Sequence, residues 1–330
     1  MAASSLMARR ALGPATQQVV AAVDLVVAGP VLVACSGGPD SLALAAAAAI
    51  VGRRRDLPVR AVTVDHGLQD GSADVAARVA AQLEVLGVPT MIVPVVVDAA
   101  GLGPEAAARE ARYAALDATA VGAEVVLLGH TLDDQAETVL LGLARGSGTR
   151  SLAGMPPRRG RFVRPLLGVR AETTRQACAE LGLEPWTDPH NTDERFARVR
   201  ARGAVMAALE AELGPGIAEA LARTADLARA DADLLDELAA RELTSNPGPD
   251  LDCRWLESLP PALLTRVLLG WLRAAGAADL TSAHLVSVAS LVHAWRGQRW
   301  VEVPGLRVLR AGGRLVVRDP LGGADGAAVR

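Results

Sequence analysis

The stretch VLVACSGGPDSLALAAAA, residues 31–48, places the tightest constraint on what this chain can fold into. Apolar residues run into a Ser-Gly-Gly-Pro-Asp-Ser turn and then into an alanine-rich segment, which predicts a strand, a tight turn and a helix. Gly37 and Gly38 let backbone N–H groups approach a ligand, Pro39 suits the first helical position, and Ser36 is placed to cap the helix. Because a helix N-terminus attracts anions, the turn is a candidate anion site.

Two features of charge narrow the identity of that anion. All 34 basic residues are arginines, so the lysine-dependent phosphate loop GxxxxGK[ST] is excluded. Asp40 would repel a bare pyrophosphate, whereas a Mg2+ ion held through few carboxylates and many waters would bridge the two. The hexapeptide from Ser36 to Ser41 therefore predicts a site for the pyrophosphate of a nucleotide, with Asp40 on its metal. An ordinary tight turn is the alternative.

Short apolar runs alternate with helical patterns through the first half of the chain. Strands that are apolar on both faces and separated by helices indicate an α/β fold, with a parallel five-stranded sheet and helices on both faces. Ligands of such sheets sit at the carboxyl ends of strands, so the turn and the polar clusters at 65–72 and 129–138 should converge on one crevice. The predicted strands are residues 31–36, 59–66, 90–97, 124–130 and 161–167.

The second half of the chain has a different pattern. A helical stretch rich in Ala, Leu, Asp and Glu is followed by TSNPGPD, residues 244–250, which indicates a linker. Two further helices then precede apparent β-hairpins with turns at Pro304-Gly305 and Gly312-Gly313. We therefore divide the chain into a catalytic domain at 1–205, a helical linker at 206–249 and a small mixed α+β domain at 250–330.

Cysteine usage and hydropathy point to the cytoplasm. Cys35, Cys178 and Cys253 are far apart in sequence, which disfavours a disulfide framework, a local zinc site or a dithiol motif. The apolar run at 42–52 is shorter than the roughly 20 residues needed to cross a bilayer, and polar residues interrupt the N-terminal apolar stretch. A soluble cytoplasmic protein without a membrane partner is expected.

Positive charge is concentrated in one segment of an otherwise acidic chain. Residues 150–202 hold 11 arginines and 6 acidic residues, net +5, against net −5 for 1–149 and −3 for 203–330. Such localisation is typical of a surface that binds a polyanion such as RNA, although a solvated charged face is the alternative. The arginines of its two basic motifs are Arg158, Arg159, Arg161, Arg164, Arg195, Arg198, Arg200 and Arg202, and the last four are the predicted RNA contacts.

SGGPDS resembles the PP-loop, S-G-G-x-D-S, of the N-type ATP pyrophosphatases, which adenylate an oxygen with release of pyrophosphate and then let a nucleophile displace AMP. Further motifs resemble, in order, the tRNA(Ile)-lysidine synthetase family, closely over 28–202 and more loosely beyond. These motifs are VDHGLQ (64–69), EARYAAL (110–116), GHTLDDQAET (129–138), RGSGTRSLAGM (145–155), RPLL (164–167) and WTDPHN (186–191).

The resemblance implies an enzyme that uses ATP and Mg2+ to join free L-lysine to carbon 2 of the wobble cytidine in tRNA(Ile) with a CAU anticodon. It implies that Asp134 and Glu137 recognise lysine, that Arg112 neutralises charge on the α-phosphate, and that Asp65 and His66 face the adenine and ribose. The C-terminal domain is expected to dock the tRNA body. The candidate catalytic residues are Asp40, Arg112, His130, Asp133, Asp134 and Glu137.

Several of these side chains have structural alternatives. The three carboxylates of GHTLDDQAET could form an acidic first turn, stabilised by about 0.3 to 1 kcal/mol each by the helix dipole. His130 could be a core histidine, and for Arg109 a solvated basic face is preferred. Trp186 and Phe196 could stack on a splayed base or fill the core.

The sequence departs from the family pattern at four places: Gln69, Thr131, His190 and RFARVRAR (195–202), where the family has R-N-x-[IL]-R. Two other functions stay open beside the ligase. One is another PP-loop enzyme, such as a tRNA thiolase or an amide-forming synthetase. The other is a non-catalytic ATP- or RNA-binding module, which the set of carboxylates disfavours. The oligomeric state is open, a homodimer included.

Overall fold

The computed structural model describes residues 12–67, 71–96, 104–146, 148–186, 195 and 197–319. The chain forms two compact units, Met1–Ala228 and Arg229–Arg330. The change from one unit to the next falls inside a single long helix. The division into segments 1–205, 206–249 and 250–330 stays a prediction. Gln69, residues 187–194 with His190, and Phe196 lie outside the described residues.

The first unit is built around a six-stranded sheet in the order β3-β2-β1-β4-β6-β5. All neighbouring pairs are parallel except β5 with β6. A strand occurs within each of the five predicted ranges, but the prediction of a strand at 161–167 was too long, because Pro165–Gly168 forms a 3-10 helix. Two-residue β5 adds an antiparallel edge strand that the sequence pattern did not predict. The strands are β1 (Val31–Ala34), β2 (Val59–Asp65), β3 (Thr90–Pro94), β4 (Val125–Leu128), β5 (Arg158–Arg159) and β6 (Phe162–Val163).

Helices cover both faces of this sheet, as predicted. Val31 and Val33 of β1 pack into one apolar cluster with α1, α2, α3 and α7, whereas Leu32 packs with Leu116 of α4 on the opposite face. A strand buried on both sides has no polar face, which explains its unbroken apolar run. These helices, with α5 and α6, are α1 (Pro14–Asp24), α2 (Pro39–Arg55), α3 (Ser72–Val85), α4 (Pro104–Thr119), α5 (Leu132–Ala144), α6 (Thr149–Leu152) and α7 (Ala171–Leu181).

The basic motif RFARVRAR continues into a helical segment with one irregular turn. Helix α8 (Ala197–Arg200) passes through a π-helical turn (Ala201–Val205) into α9 (Met206–Leu213). Single π-turns inside helices occur frequently at functional sites. The long helix α10 (Ile217–Ser245) follows and carries the chain from the first unit into the second.

The second unit contains an antiparallel sheet in the order β7-β10-β9-β8. The predicted turns at Pro304-Gly305 and Gly312-Gly313 are confirmed, and both residues of the second turn have positive φ, 55° and 76°, which glycine adopts without a steric cost. The strands and helices are β7 (Leu251–Asp252), α11 (Cys253–Ser258), α12 (Pro261–Ala274), α13 (Ser282–His293), β8 (Val301–Val303), β9 (Leu306–Ala311) and β10 (Arg314–Arg318).

Across the described parts of both units, no helix combines the length and the apolar character that crossing a bilayer would require.

The packing of α4 on the sheet predicts a large stability effect at one position. Leu116 is 0% exposed, so Leu116→Ala leaves a cavity and should lower the free energy of unfolding by about 2 to 5 kcal/mol. Leu25→Ala is the matched control, because Leu25 is 86% exposed and its truncation should change stability by less than about 0.5 kcal/mol. Urea unfolding followed by circular dichroism measures both. Equal midpoints for the two variants would contradict this packing.

Candidate active site

The strand order of the sheet reverses between β1 and β4, and a cavity of about 480 Å³ lies at their carboxyl ends. Two backbone turns meet there. A Cβ on Gly129, just after β4, would stand 3.1 Å from the backbone N and Cα of Ser41, so a side chain there would push the two turns apart by a few tenths of an ångström. The predicted residues that line the cavity are Ser36, Gly38, Pro39, Asp40, Ser41, Asp65, His66, Arg112, His130, Asp134 and Arg202.

The turn after β1 is shaped by glycine and by Ser41. Gly37 has φ +86°, and a Cβ there would stand 2.4 Å from Cγ2 of Val79. Ser41 Oγ accepts a hydrogen bond from Ser36 N–H at 3.2 Å and donates one to Gly38 O at 3.0 Å. The N-cap of α2 is Gly38, without a side-chain cap, and Pro39 follows it. The prediction that Ser36 caps this helix is therefore wrong, because Ser36 lies two residues too early.

Asp40 lies in the first turn of α2, on the cavity wall. Its Oδ1 accepts a hydrogen bond from Thr174 Oγ1 of α7. Burial raises the pKa of Asp40 to about 6, against the opposing effect of that hydrogen bond, and nearby Asp134 raises it further. Thr174 is fully buried and had no sequence signal, since its segment shows only helical periodicity.

Three nitrogen atoms around the cavity are buried without a hydrogen-bond partner among the described residues. They are Arg112 Nε, His66 Nδ1 and His130 Nδ1. Burial, with neighbouring arginines, lowers the pKa of His130 to about 3 and also lowers the pKa of His66, so both imidazoles are neutral at pH 7. Because unpaired buried polar atoms are costly, their grouping here indicates a polar ligand.

Asp65 closes β2 at the edge of the same cavity. Its Oδ1 accepts a hydrogen bond from Gly67 N–H at 3.0 Å, which lowers the pKa of Asp65 and keeps it charged. Asp65 and His66 therefore line the same cavity as the turn from Ser36 to Ser41, as expected for residues that face the adenine and ribose.

The two carboxylates expected to recognise lysine lie on α5. Thr131, at one of the family departures, is the N-cap of this helix and exchanges hydrogen bonds with Asp134, whose Oδ2 accepts from Thr131 N–H at 2.8 Å. This leaves Oδ1 of Asp134 for another partner. Glu137, one turn on, is buried, and burial raises its pKa.

Arg202 supplies that partner. Its Nη2 donates to Asp134 Oδ1 at 2.9 Å, and its Nε donates to Glu137 Oε1. The arginine was predicted to contact RNA, but here its guanidinium forms ion pairs with both members of the acidic pair.

Asp133 does not line the cavity at the carboxyl ends of β1 and β4. Its carboxylate accepts a hydrogen bond from Ala171 N–H at 2.7 Å at the start of α7 and pairs with Arg170 at 3.1 Å. Asp133 lines a second cavity of about 500 Å³, together with Glu137 and Arg202. The structure therefore brings Asp133 beside Glu137, and not beside Asp40, Arg112 or His130.

The remaining basic residues divide into surface and buried groups. Arg195, Arg198 and Arg200 are exposed at α8, as an RNA contact requires. Arg164, by contrast, is buried and donates to Tyr113 Oη at 3.1 Å and to Pro156 O at 2.9 Å. Its guanidinium is therefore engaged inside the protein and is not part of a basic surface. Trp186 also lines the cavity, and its backbone N–H donates a hydrogen bond to Gly37 O at 2.9 Å.

Comparison with known proteins identifies the family of this chain. A PP-loop domain model matches residues 14–209, and a TilS substrate binding domain model matches residues 251–316. The tRNA(Ile)-lysidine synthase of Thermobifida fusca is 55% identical over 291 residues, covering 86% of this chain and 90% of that one. The chain belongs to the tRNA(Ile)-lysidine synthase family. A member from Leifsonia xyli subsp. xyli is 53% identical over 294 residues, 86% of this chain and 88% of that protein.

The fold of this tRNA(Ile)-lysidine synthase family member extends to more distant proteins. The U34-tRNA thiolase NcsA from Methanococcus maripaludis, solved with its [4Fe-4S] cluster, superposes with a TM-score of 0.50 at 17% identity, covering 65% of this chain and 80% of that one. At that identity the likeness shows a shared fold alone.

The pKa of Asp40 predicts a pH-dependent gain of stability in Asp40→Asn. A carboxyl group whose pKa is raised by folding destabilises the folded state once pH exceeds its unfolded pKa of 3.8, and the whole penalty applies above about pH 6. Asparagine keeps the acceptor for Thr174 without the charge. We expect a gain on the order of 2 kcal/mol at pH 7.5 and none at pH 3.5, read from thermal unfolding. Exposed Asp226→Asn is the control, and a gain that is equal at both pH values would contradict the assignment.

Proposed function

We propose that this chain joins L-lysine to carbon 2 of the wobble cytidine of tRNA(Ile) with a CAU anticodon, at the expense of ATP. The observation that carries the proposal is one cavity lined by a phosphate-binding turn, by Arg112 and by Asp134, in a member of this family. Glu137 lies one helical turn from Asp134, and Arg202 pairs with both carboxylates. The turn and Arg112 suit a nucleotide, and Asp134 with Glu137 suits a cationic amino acid.

ATP would lie with its phosphates against the turn from Ser36 to Ser41. Gly38, Asp40 and Ser41 at the start of α2 line the cavity, and the N–H groups of a helix N-terminus attract anionic oxygens. Arg112 would neutralise the charge that develops on the α-phosphate. Asp65 and His66, on the neighbouring wall, would face the ribose and adenine. Neutral His130 can donate or accept one hydrogen bond there without adding charge.

The residues fit a magnesium ion held jointly with the phosphates. The described residues contain no group of three metal-ligating side chains, so an all-protein cage is not offered. Mg2+ is commonly bound by one or two carboxylates plus phosphates and waters, which matches Asp40 with Asp134 close by. Bound there, the ion would neutralise charge on the β- and γ-phosphates of the leaving pyrophosphate. Its positive charge would also favour the ionised form of Asp40.

The first step forms one bond and breaks another at the α-phosphorus. The oxygen on carbon 2 of the cytosine attacks, and the bond to the bridging oxygen of the β-phosphate breaks, which releases pyrophosphate. The product is an adenylated cytidine with a good leaving group on carbon 2. The role of this chain is positioning: the turn fixes the phosphates, and the cavity holds the base in line.

In the second step the ε-amine of lysine attacks carbon 2, and the carbon–oxygen bond to AMP breaks. The amine must first lose a proton, and Glu137 is the better acceptor of the pair because burial raises its pKa. Asp134, held by the cap at Thr131, would orient the amino acid.

The tRNA would contact both units. Arg195, Arg198 and Arg200 are the proposed contacts on the first unit. In the second unit, residues 295–318 hold six arginines and one acidic residue. Two half-exposed tryptophans lie among them: the guanidinium of Arg307 stands 5.0 Å from the ring centre of Trp300, and that of Arg310 stands 5.4 Å from Trp295. Arginines beside exposed rings suit phosphates and stacked bases.

The product itself tests the proposed reaction. With ATP, Mg2+, lysine and the tRNA transcript, mass spectrometry should find one lysine added to a single cytidine, with one pyrophosphate and one AMP released. Glu137→Gln removes the anionic partner of the amine and should reduce lysine transfer at least about 100-fold while pyrophosphate release persists. Loss of both partial reactions to the same extent would contradict the assignment of Glu137 to lysine. No adduct with the wild-type chain would refute the function.

The basic, aromatic surface of the second unit predicts a separable tRNA defect. Trp300→Ala should weaken tRNA binding about tenfold, in the range of one lost base stack, and leave ATP binding unchanged. Trp300→Phe retains a stacking ring and is the matched control. Filter binding at two salt concentrations measures both. Equal affinity of the alanine variant and the wild type would exclude Trp300 from the interface.

A thiolase is the alternative that the cysteines argue against. Cys35, Cys178 and Cys253 are all buried, and burial raises the pKa of each thiol, to about 12 for Cys178. A sulfur carrier needs an accessible thiolate or a cluster, which these residues do not provide. A homodimer stays a prediction, for which sedimentation velocity is the measurement.

A further inference from the structure

The ion pairs of Arg202 compete with the proposed binding of lysine. Arg202 forms ion pairs with Asp134 and Glu137, the two carboxylates assigned to the lysine substrate. The side chain of Glu137 is 4% exposed, whereas that of Arg202 is 53% exposed. A half-exposed cation of this chain therefore occupies the position that the cation of the substrate needs.

We propose that Arg202 is a placeholder for lysine, and that it exchanges the acidic pair for an RNA phosphate when tRNA binds. This inference rests on the proposed function. In the substrate-free protein the guanidinium pairs with both carboxylates and partly offsets their charge. Lysine and tRNA together displace it, because the ammonium group replaces it on the acidic pair and a phosphate receives it.

The cavities on either side of Arg202 support this role. The nucleotide cavity is lined by Asp134 and the second cavity by Glu137, and Arg202 lines both. Among the described residues it is the one lining residue that the two cavities share. Withdrawal of this side chain would remove the partition and connect the acidic pair with the nucleotide.

The position of Arg202 in the chain gives it a second partner. It lies in the π-helical turn, directly after α8, whose Arg198 and Arg200 are exposed. A polyanion that binds those two arginines brings phosphates within reach of a third guanidinium on the same segment. Arginine binds phosphate and carboxylate oxygens equally well through its planar set of donors, so the exchange replaces one charge-assisted contact with another.

The energetics make the exchange cooperative. Removal of a cation from a buried carboxylate without replacement is strongly unfavourable, so Arg202 leaves readily only when lysine arrives. Conversely, lysine must compete with Arg202 unless RNA holds the arginine elsewhere. RNA should therefore tighten the binding of lysine, and lysine should tighten the binding of RNA by the same factor.

Calorimetric titration of lysine tests the exchange, with a non-hydrolysable ATP analogue present and with or without an anticodon stem-loop RNA. If Arg202 occupies the pair in nine of ten molecules, its removal raises lysine affinity about tenfold. We expect Arg202→Ala to bind lysine about tenfold more tightly than the wild type without RNA, and to gain nothing further from RNA. The wild type should gain about tenfold when RNA is added.

Two controls separate this effect from a change in net charge or folding. Arg175→Ala removes an arginine whose ion-pair partner is Glu172 on the surface of α7, and it should keep the wild-type response to RNA. Methylguanidinium added to Arg202→Ala should refill the vacated position, raise the melting temperature of that variant and compete with lysine. The wild type, already occupied, should show neither effect.

The outcomes are distinct. Weaker or unchanged lysine binding by Arg202→Ala, beside normal binding by the wild type, would overturn the placeholder and leave the proposed function intact. No lysine binding by either protein, with nucleotide and RNA present, would overturn the proposed function and the exchange with it. No effect of methylguanidinium on the alanine variant would also overturn the placeholder.

Discussion

The approach of the β4 turn to the β1 turn is the constraint on which the site depends. A Cβ on Gly129 would lie 3.1 Å from the backbone of Ser41 and 3.2 Å from that of Asp40, so the two turns pack closely where they line the cavity. The burial of Asp40 in this wall has an electrostatic cost, since it withdraws the carboxylate from water and raises its pKa to about 6. A divalent cation and a polyphosphate would offset that cost. Stability in the absence of ligand is thus exchanged for affinity in its presence, as is common at functional sites.

Much of the first unit could be predicted from the sequence because its signals are local. The apolar strands, the glycine turn and the proline at the first position of α2 each depend on a few neighbouring residues, and all appear where they were expected. The two-residue β5 could not be predicted, because its pairing with β6 depends on a hairpin and not on hydrophobic periodicity. The capping role assigned to Ser36 failed for a related reason: an offset of two residues decides which residue is the cap, and sequence patterns resolve boundaries no better than that.

The sequence predicted most of the residues that lie at the site, but not which of them contact one another. Spacing brought Asp134 and Glu137 to one face of α5, but the same spacing cannot show that Asp133 turns toward α7 or that Thr174 reaches Asp40. Those contacts join residues 38 and 134 positions apart. Charge counting had a similar limit with the arginines. It placed Arg164 and Arg202 in one group with the exposed arginines of α8. Arg164 is buried and donates to Tyr113, and Arg202 pairs with α5. A count of charges contains no information on such partners.

The choice of arginine as the cation beside the acidic pair has a chemical consequence. In the proposed reaction the adenylated base is an electrophile, and it would react with a primary amine held beside Asp134 and Glu137. A lysine side chain at residue 202 would therefore present a tethered competitor and risk an irreversible crosslink between enzyme and RNA. A guanidinium stays protonated and is a poor nucleophile, so it can rest beside the activated carbon without being consumed. Since the chain contains no lysine at all, the free amino acid meets no internal rival for that carbon.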